Sequence, residues 1–181
     1  MRRVRYAVAA SLDGYIAGPK GEADWIIMDP EIDFEAIFKQ FDTLLVGRRT
    51  FEVMVRFGRA ATPGVQTLVF SHTLRQSDYP EVTIVSENAA KTVSSLRKKP
   101  GKDIWLFGGS SLFSSLLNEG LVDTIEVGVI PVLLGEGIPL MLPSAPQTKL
   151  KLTGHKIYGT GIVSLEYAIR KRPTKRPQRR A

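Results

Sequence analysis

The sequence contains no cysteine, only two histidines and two tryptophans, and no long apolar run. Without cysteine, the chain has no disulfide, no thiolate metal ligand and no cysteine nucleophile. His72 and His155 cannot complete a zinc site of the cysteine and histidine type, so we predict no metal centre. The apolar runs are far shorter than a membrane span, and no clear cleavage site follows the first arginines. We expect a cytoplasmic protein.

Length and composition are those of an ordinary globular protein. The chain has 181 residues, of which 43% are hydrophobic and 24% are charged, which excludes disordered, collagen-like and coiled-coil classes. No internal repeat or linker divides it before its end. We therefore predict one domain over residues 1–170 and a basic, flexible tail over residues 171–181.

The formal net charge of +7 belongs largely to this tail, together with Arg170 directly before it. Seven of the 25 basic residues lie in the last twelve positions, and the remaining 18 equal the 18 acidic residues in number. A solvated tail is the simpler interpretation, because a run of like charges broken by proline cannot pack a core. The alternative is weak, salt-sensitive contact with nucleic acid or another acidic partner.

Apolar runs alternate with helical patterns along the chain. The sequence predicts strands over residues 4–10, 43–46, 67–70, 82–85, 104–107 and 124–130. Helical spacing predicts three helices. The first starts at Asp29 and Pro30 and is marked by Phe34, Ile37, Phe38 and Phe41. The second is marked by Ala89, Val93 and Leu96, and the third by Leu112, Phe113, Leu116 and Leu117. This alternation favours a mixed, mostly parallel central sheet flanked by helices in three layers.

The C-terminal part of the predicted domain has a different pattern. Leu150 and Leu152 alternate with lysines, and residues 163–169 alternate in the same way after the turn at Gly159-Thr160-Gly161. Such alternation is typical of half-exposed antiparallel strands. We predict a C-terminal hairpin at the edge of the sheet.

Two glycines join a buried strand to a helix in the stretch Phe107-Gly108-Gly109-Ser110-Ser111-Leu112. Glycine lets a ligand approach the backbone closely, and free N–H groups at a helix N-terminus attract phosphate. The stretch is not the dinucleotide fingerprint with three glycines. By itself it is equally compatible with a phosphate site and with a tight turn.

Two further strand ends carry polar groups. Val46-Gly47-Arg48-Arg49-Thr50 opens a helix with two cations, an unfavourable placement that an anionic ligand would offset. Phe70-Ser71-His72 ends another strand with small donors and an imidazole. Solvated arginines and a surface histidine are the simpler alternatives. Because ligands of open α/β sheets bind at the carboxyl ends of strands, three such ends together favour a binding site.

These motifs resemble those of the dihydrofolate reductase-like superfamily, and in particular the reductase domain at the C-terminus of riboflavin-biosynthesis proteins. The resemblance rests on the three stretches above, on residues 10–18 with Trp25 downstream, and on residues 130–140. It covers nearly the whole chain except the tail. It implies a dihydrofolate reductase-like fold, a homodimer and the cofactor NADPH.

The resemblance also implies roles for individual residues. The phosphates would be held by Gly47, Arg48, Arg49 and Thr50, with the arginines toward the 2′-phosphate, and by Phe107, Gly108, Gly109, Ser110, Ser111 and Leu112 at the pyrophosphate. Phe70, Ser71 and His72 would flank the adenosine, and Ala9, Ile16 and Ala17 the nicotinamide. Ser11, Trp25 and Phe34 are the predicted substrate contacts.

A carboxylate on the first helix assists protonation in dihydrofolate reductases. Asp33 matches that position best, and Glu31 and the turn residue Asp13 are alternatives. Acidic residues are also favoured in a first helical turn without any catalysis. We predict an NADPH-dependent reductase of a small heterocyclic or imine-like substrate, either pterin-like or of riboflavin-pathway type. The alternative is a non-catalytic nucleotide-binding or interaction module.

Overall fold

Ten strands form in the part of the chain that the computed structural model describes, residues 1–143 and 147–170. Their bounds are β1 Val4–Ser11, β2 Tyr15–Ala17, β3 Phe41–Gly47, β4 Gln66–Phe70, β5 Thr83–Val85, β6 Asp103–Gly108, β7 Thr124–Ile130, β8 Ile138–Pro139, β9 Leu150–Ile157 and β10 Val163–Ile169. Each of the six predicted strands and both arms of the predicted hairpin fall on one of them, so these predictions are confirmed.

Four α-helices connect strands within the same residues: α1 Phe34–Phe38, α2 Arg48–Arg56, α3 Ala89–Lys98 and α4 Ser110–Asn118. A short 3-10 turn covers Gln76–Asp78. The helix predicted from Leu112 to Leu117 is confirmed, and its apolar side chains are buried. It stops before Gly120, whose φ of +66° lies in the left-handed region that glycine adopts without steric cost.

The first helix is shorter than its apolar spacing predicts. It ends at Phe38, and Phe41 instead begins β3, where it is only 4% exposed and its ring lies 5.0 Å from that of Trp105. The start predicted at Asp29 is also wrong, because the helix begins at Phe34. Phe41 therefore becomes buried in the sheet, although its spacing from Phe34, Ile37 and Phe38 fits one face of a helix.

Eight strands form one sheet in the order β5-β4-β3-β6-β1-β7-β10-β9. The pairs from β5 to β7 are all parallel, and β10 is antiparallel to both β7 and β9. The mixed, mostly parallel sheet with an antiparallel hairpin at its edge is thus confirmed. We call the side where β4, β3, β6, β1 and β7 end the carboxyl edge. A separate two-stranded sheet pairs β2 with β8.

The core has one layer on each face of the sheet. On one face, Tyr6 and Phe113 stack with ring centroids 3.9 Å apart, beneath α3 and α4. Burial raises the pKa of the Tyr6 hydroxyl. On the other face, Phe51 of α2 packs with Val46 and Trp105, and α1 adds Ile37. Strand residues alternate between the two layers because successive side chains point to opposite faces.

Within residues 1–143 and 147–170, no helix is long and apolar enough to cross a membrane. The predicted basic tail, 171–181, lies outside the described residues.

Candidate cofactor-binding and active site

The carboxyl edge brings the three strand ends that are predicted to bind the cofactor together. Gly47 at the end of β3 pairs with Phe70 at the end of β4, and Val46 pairs with Gly108 at the end of β6. These three strands are direct neighbours and run in parallel, so the polar groups that follow them lie on the same side of the sheet.

Two helices begin at this edge without a side-chain cap. Gly47 precedes α2 and Gly109 precedes α4, and neither N-terminus receives a hydrogen bond from a capping side chain. The first-turn N–H groups of a helix have no intrahelical acceptor, and the helix dipole is positive there. Both ends are therefore suited to an anion.

The loop between β6 and α4 packs tightly against the first turn of α2. A Cβ added at Gly108 or at Gly109 would lie 3.3 Å from the Thr50 hydroxyl oxygen, and one at Gly47 would lie 3.3 Å from the Gly109 nitrogen. Gly108 has a φ of +152°, and the peptide bond between Gly108 and Gly109 is cis. The three glycines thus place no side chain of their own between the two helix ends, and we call this glycine surface the cradle. A surface of this kind suits a pyrophosphate, because glycine lets a ligand approach the backbone closely.

The two arginines of α2 differ in their partners. Arg48 donates to the Glu52 carboxylate at 2.9 Å, one helical turn further on, and both side chains are more than a third exposed. The Arg49 side chain is exposed, and its guanidinium makes no hydrogen bond or ion pair with the described residues. Arg49 is therefore the cation available to an added phosphate, whereas Arg48 is already shared with a carboxylate.

The turn after β4 is organised by Ser71. Its buried hydroxyl oxygen accepts hydrogen bonds from the backbone N–H groups of Thr73 and Leu74, at 3.2 and 3.1 Å. Ser71 therefore fixes the shape of this turn, and its hydroxyl also lies 3.4 Å from the Thr73 hydroxyl oxygen. His72 is exposed and Phe70 is half-buried beside it.

Small residues line the opposite part of the edge, where β1 runs beside β7. Ala9 pairs with Gly128, and a Cβ added at Gly128 would meet nothing within 4 Å. Ile16 packs against the core layer under α3 and α4, and the Ala17 carbonyl approaches Gly137 closely enough to exclude a side chain there. Ala9 and Gly128 therefore leave open space over the sheet. The sequence analysis missed Gly128, although a glycine inside a strand is a known sign of close backbone approach.

Two candidate proton donors lie before or at the start of α1. The Asp33 carboxylate caps the helix by accepting a hydrogen bond from the Ala36 N–H at 2.8 Å. Glu31 forms an ion pair with Lys156 of β9 at 3.2 Å. Both carboxylates are exposed. Asp33 keeps a second oxygen outside its capping bond, while the charge of Glu31 is already balanced.

Asp13 has a different environment. It accepts hydrogen bonds from the Ser11 hydroxyl at 2.6 Å, from the Gly135 N–H at 2.7 Å and from the Leu134 N–H at 3.1 Å. These bonds, that of Ser11 first, lower the pKa of the Asp13 carboxyl. The contacts favour a structural role over proton donation, because they fasten the β1–β2 turn to the loop after β7.

The remaining predicted substrate contacts are Ser11, Trp25 and Phe34. The buried Ser11 hydroxyl donates to Asp13 and accepts from the Tyr15 N–H at 2.9 Å, so it belongs to the same turn. The Trp25 indole donates to the Glu22 carbonyl at 3.2 Å. Phe34 is 38% exposed at the start of α1 and is available to a ligand.

Asp29 is a residue whose role the sequence analysis missed. Its buried carboxylate accepts hydrogen bonds from the Thr160 hydroxyl at 2.8 Å and from the Thr160 N–H at 3.1 Å. It thereby holds the segment between β2 and α1 against the tip of the C-terminal hairpin. With no periodic pattern near Asp29, only the fold reveals this contact over 131 positions of sequence.

Comparison with known proteins decides the family. A model of the RibD C-terminal domain matches residues 2–164. The chain belongs to the RibD C-terminal domain family. The uncharacterized protein YyaP of Bacillus subtilis (strain 168) is 35% identical to it, over 92% of this chain and 94% of YyaP.

Solved structures show that this member of the RibD C-terminal domain family has the dihydrofolate reductase-like fold. A putative riboflavin biosynthesis protein from Shewanella sp. PV-4 superposes with a TM-score of 0.80 at 24% identity, covering 94% of this chain and all of that one. Dihydrofolate reductase from Enterococcus faecalis, complexed with NADP(H), gives 0.67 at 19% identity over 93% of this chain and 97% of its own. The predicted family and the predicted fold are confirmed.

Proposed function

We propose that this RibD C-terminal domain protein is an NADPH-dependent reductase of small heterocyclic or imine-like compounds, of pterin or riboflavin-pathway type. One observation carries the proposal. Two uncapped helix N-termini meet at the carboxyl edge across a surface of three closely packed glycines, with Arg49 beside them. The dihydrofolate reductase of similar fold is complexed with NADP(H), which supports the choice of cofactor.

The proposed cofactor-binding residues are those that the family resemblance implies, and their places at the carboxyl edge support them. Residues 107–112 would hold the pyrophosphate at the start of α4, and residues 47–50 the 2′-phosphate at the start of α2. Residues 70–72 would flank the adenosine, and Ala9, Ile16 and Ala17 the nicotinamide. NADPH, when bound, supplies the hydride. The protein then contributes orientation and the exclusion of water.

The acceptor would lie over Ala9 and Gly128, where the sheet presents small residues and open space. Phe34 and Trp25 offer partly exposed rings to a flat heterocycle. Asp33 is the group that we propose to hold the proton for the acceptor, because Glu31 is ion-paired and Asp13 is engaged in a turn. The segment between β2 and α1, which Asp29 holds against the tip of the C-terminal hairpin, would exclude water from this space.

Binding is tested by titrating the protein with NADPH and with NADH and following the fluorescence of the reduced nicotinamide. We expect NADPH to bind at least tenfold more tightly, since only NADPH carries the 2′-phosphate. Absence of binding to either dinucleotide would refute the proposal. A screen of heterocyclic and imine acceptors for NADPH oxidation then tests turnover. Tight NADPH binding without turnover of any acceptor would favour the non-catalytic nucleotide-binding module.

A further inference from the structure

Two open surface clefts lie along α3. One has a volume of about 490 Å³ and lies where the end of α3 is joined to β6. The other has a volume of about 320 Å³ and lies between α3 and the first residues of β4. Lys99 lines both clefts, so they form one surface, which we call the α3 groove. The groove lies toward the edge where the parallel strands begin, away from the carboxyl edge.

Positive charge dominates the lining of the α3 groove. Residues 88–102, which include all of α3 and the turn to β6, contain five basic residues and no Asp or Glu. Four of the five are lysines that line the groove beside hydroxyl and amide groups. The lysines are Lys91, Lys98, Lys99 and Lys102, and the uncharged polar residues are Gln66, Thr92 and Ser95.

The aspartates at the starts of the neighbouring strands are already neutralised by arginines. Asp103, the acidic residue that lines the groove, accepts from Arg3 at 2.5 Å and lies 3.5 Å from Arg5. The other two ion pairs of this kind are Arg2 with Asp42 and Arg97 with Asp123.

These aspartates therefore do not balance the lysines. The ammonium groups of Lys91, Lys98 and Lys99 make no ion pair with the described residues, and all three side chains are exposed. Lys102 donates to the Lys39 carbonyl oxygen at 2.8 Å and likewise has no carboxylate partner among these residues. The α3 groove is thus a concentration of unpaired positive charge on a domain whose body is formally neutral.

Lys91 is unfavourably placed in α3 by itself. It lies in the first turn, where the helix dipole is already positive, and that turn has no acidic residue and no side-chain cap. Lys98, in contrast, lies in the last turn, where the dipole favours a cation without any ligand. A bound anion that reaches along the groove to Lys91 would offset the unfavourable charge there.

We propose that the α3 groove binds the phosphate backbone of a nucleic-acid duplex. Lys91 and Lys98 lie about 10 Å apart along the axis of α3, which corresponds to roughly three nucleotides of one strand. A duplex presents one negative charge about every 1.7 Å of its axis, so it meets all of the lysines at once. The groove lies away from the carboxyl edge, and the proposal is therefore independent of the reductase activity.

The lining of the groove favours this partner over two others. A protein partner needs an apolar centre in its interface, but the leucines that line the groove, Leu68 and Leu96, are buried. A single strand is held by stacking of its bases on aromatic rings, and no aromatic residue among the described residues lines either cleft. Contacts to phosphates carry no base information, so the binding is independent of sequence.

The test measures the fluorescence anisotropy of short labelled DNA and RNA duplexes with three full-length proteins, over a series of salt concentrations. Besides the wild type, these are a groove variant and a control variant that each lose three exposed lysines and keep the same net charge as one another. All three keep residues 171–181, so the contribution of that basic segment is the same in each. The groove variant is Lys91→Gln, Lys98→Gln and Lys99→Gln, and the control variant is Lys20→Gln, Lys149→Gln and Lys151→Gln.

Each lysine that contacts a phosphate adds about 0.9 to the slope of log affinity against log salt for a DNA duplex. The groove variant should therefore lose about 2 to 3 units of slope and at least about tenfold in affinity, whereas the control variant should keep the slope of the wild type to within about 0.5. Binding of either duplex by the wild type with this pattern supports the proposal. No binding of either duplex, or equal losses in the two variants, overturns it.

Two competitors separate the other partners. Polyglutamate that competes as well as unlabelled duplex would show that an acidic protein fits the groove equally well, and a single strand that binds more tightly than the duplex would contradict the argument from stacking. Both results overturn the proposal. The groove variant should bind NADPH like the wild type, since Lys91, Lys98 and Lys99 lie away from the cofactor edge. Failure of the groove and failure of the reductase proposal are therefore distinguished.

Discussion

Substitution of Arg49 tests how the protein distinguishes NADPH from NADH. Arg49 has no partner among the described residues, whereas Arg48 already donates to Glu52. A hydrogen bond to a charged group contributes about 1.5–3 kcal/mol. Since 1.4 kcal/mol corresponds to a factor of ten, Arg49→Ala should weaken NADPH binding by roughly 10- to 150-fold. NADH, which lacks the 2′-phosphate, should lose much less.

The same reasoning ranks the neighbouring variants. Arg48→Ala should cost less than Arg49→Ala, roughly tenfold or below, because Arg48 is half-exposed and shared with Glu52. Glu52→Gln should strengthen NADPH binding by a small factor, because it frees Arg48 and removes a negative charge near the phosphate. Arg56→Ala removes the same charge from the last residue of α2 and should leave the affinity almost unchanged.

The assay is a fluorescence titration of each variant with both dinucleotides at a fixed salt concentration. Equal weakening of NADPH and NADH by Arg49→Ala would refute the assignment of Arg49 to the 2′-phosphate. A larger effect of Arg48→Ala than of Arg49→Ala would show that the ion pair with Glu52 does not limit Arg48. An effect of Arg56→Ala as large as that of Arg49→Ala would mean that net charge alone is responsible.

Three further predictions concern the cradle, the core and the turn after β1. Gly109→Ala places a methyl group 3.3 Å from the Thr50 hydroxyl oxygen and should reduce the NADPH affinity, measured by calorimetry, about tenfold. Gly159→Ala, whose methyl group meets nothing within 4 Å, should leave the affinity unchanged, and equal effects of the two variants would contradict the role of the cradle. Phe113→Ala removes the ring stacked on Tyr6 and should lower the free energy of unfolding in urea by about 3–5 kcal/mol; a loss below about 1 kcal/mol would contradict the packing. Asp13→Asn should destabilise the protein near neutral pH, because the pKa of Asp13 is lower in the folded protein than in the unfolded chain. The stability that this shift gives is present above the unfolded pKa of about 3.9 and is lost as the pH falls through the folded pKa. Urea unfolding over a pH series should show the stabilities of the two proteins converging below about pH 4, and a difference independent of pH would refute the argument.

Local sequence determined most of the elements of this protein. The apolar runs that became β1, β3, β4, β6 and β7 are short, rich in β-branched or aliphatic residues and bounded by turn signals, so they favour buried strands wherever they lie. The glycines after β6 and the arginines after β3 marked two strand ends. The alternation of Leu150 and Leu152 with lysine likewise marked a half-exposed strand. These features are local and do not depend on the order of the strands.

Only the tertiary structure decided which of these residues act together. Pairing of β3 with both β4 and β6 places Thr50 against Gly108, although the two are far apart in sequence and no local pattern links them. The same long-range packing shortened α1 by drawing Phe41 into the sheet, and it engaged Asp13 with the loop after β7. Local spacing sets which conformation a segment favours. Which side chains become buried, and which polar groups find hydrogen-bond partners, depends on the packing of one segment against another. The partners of a side chain, and therefore its chemistry, follow from the fold.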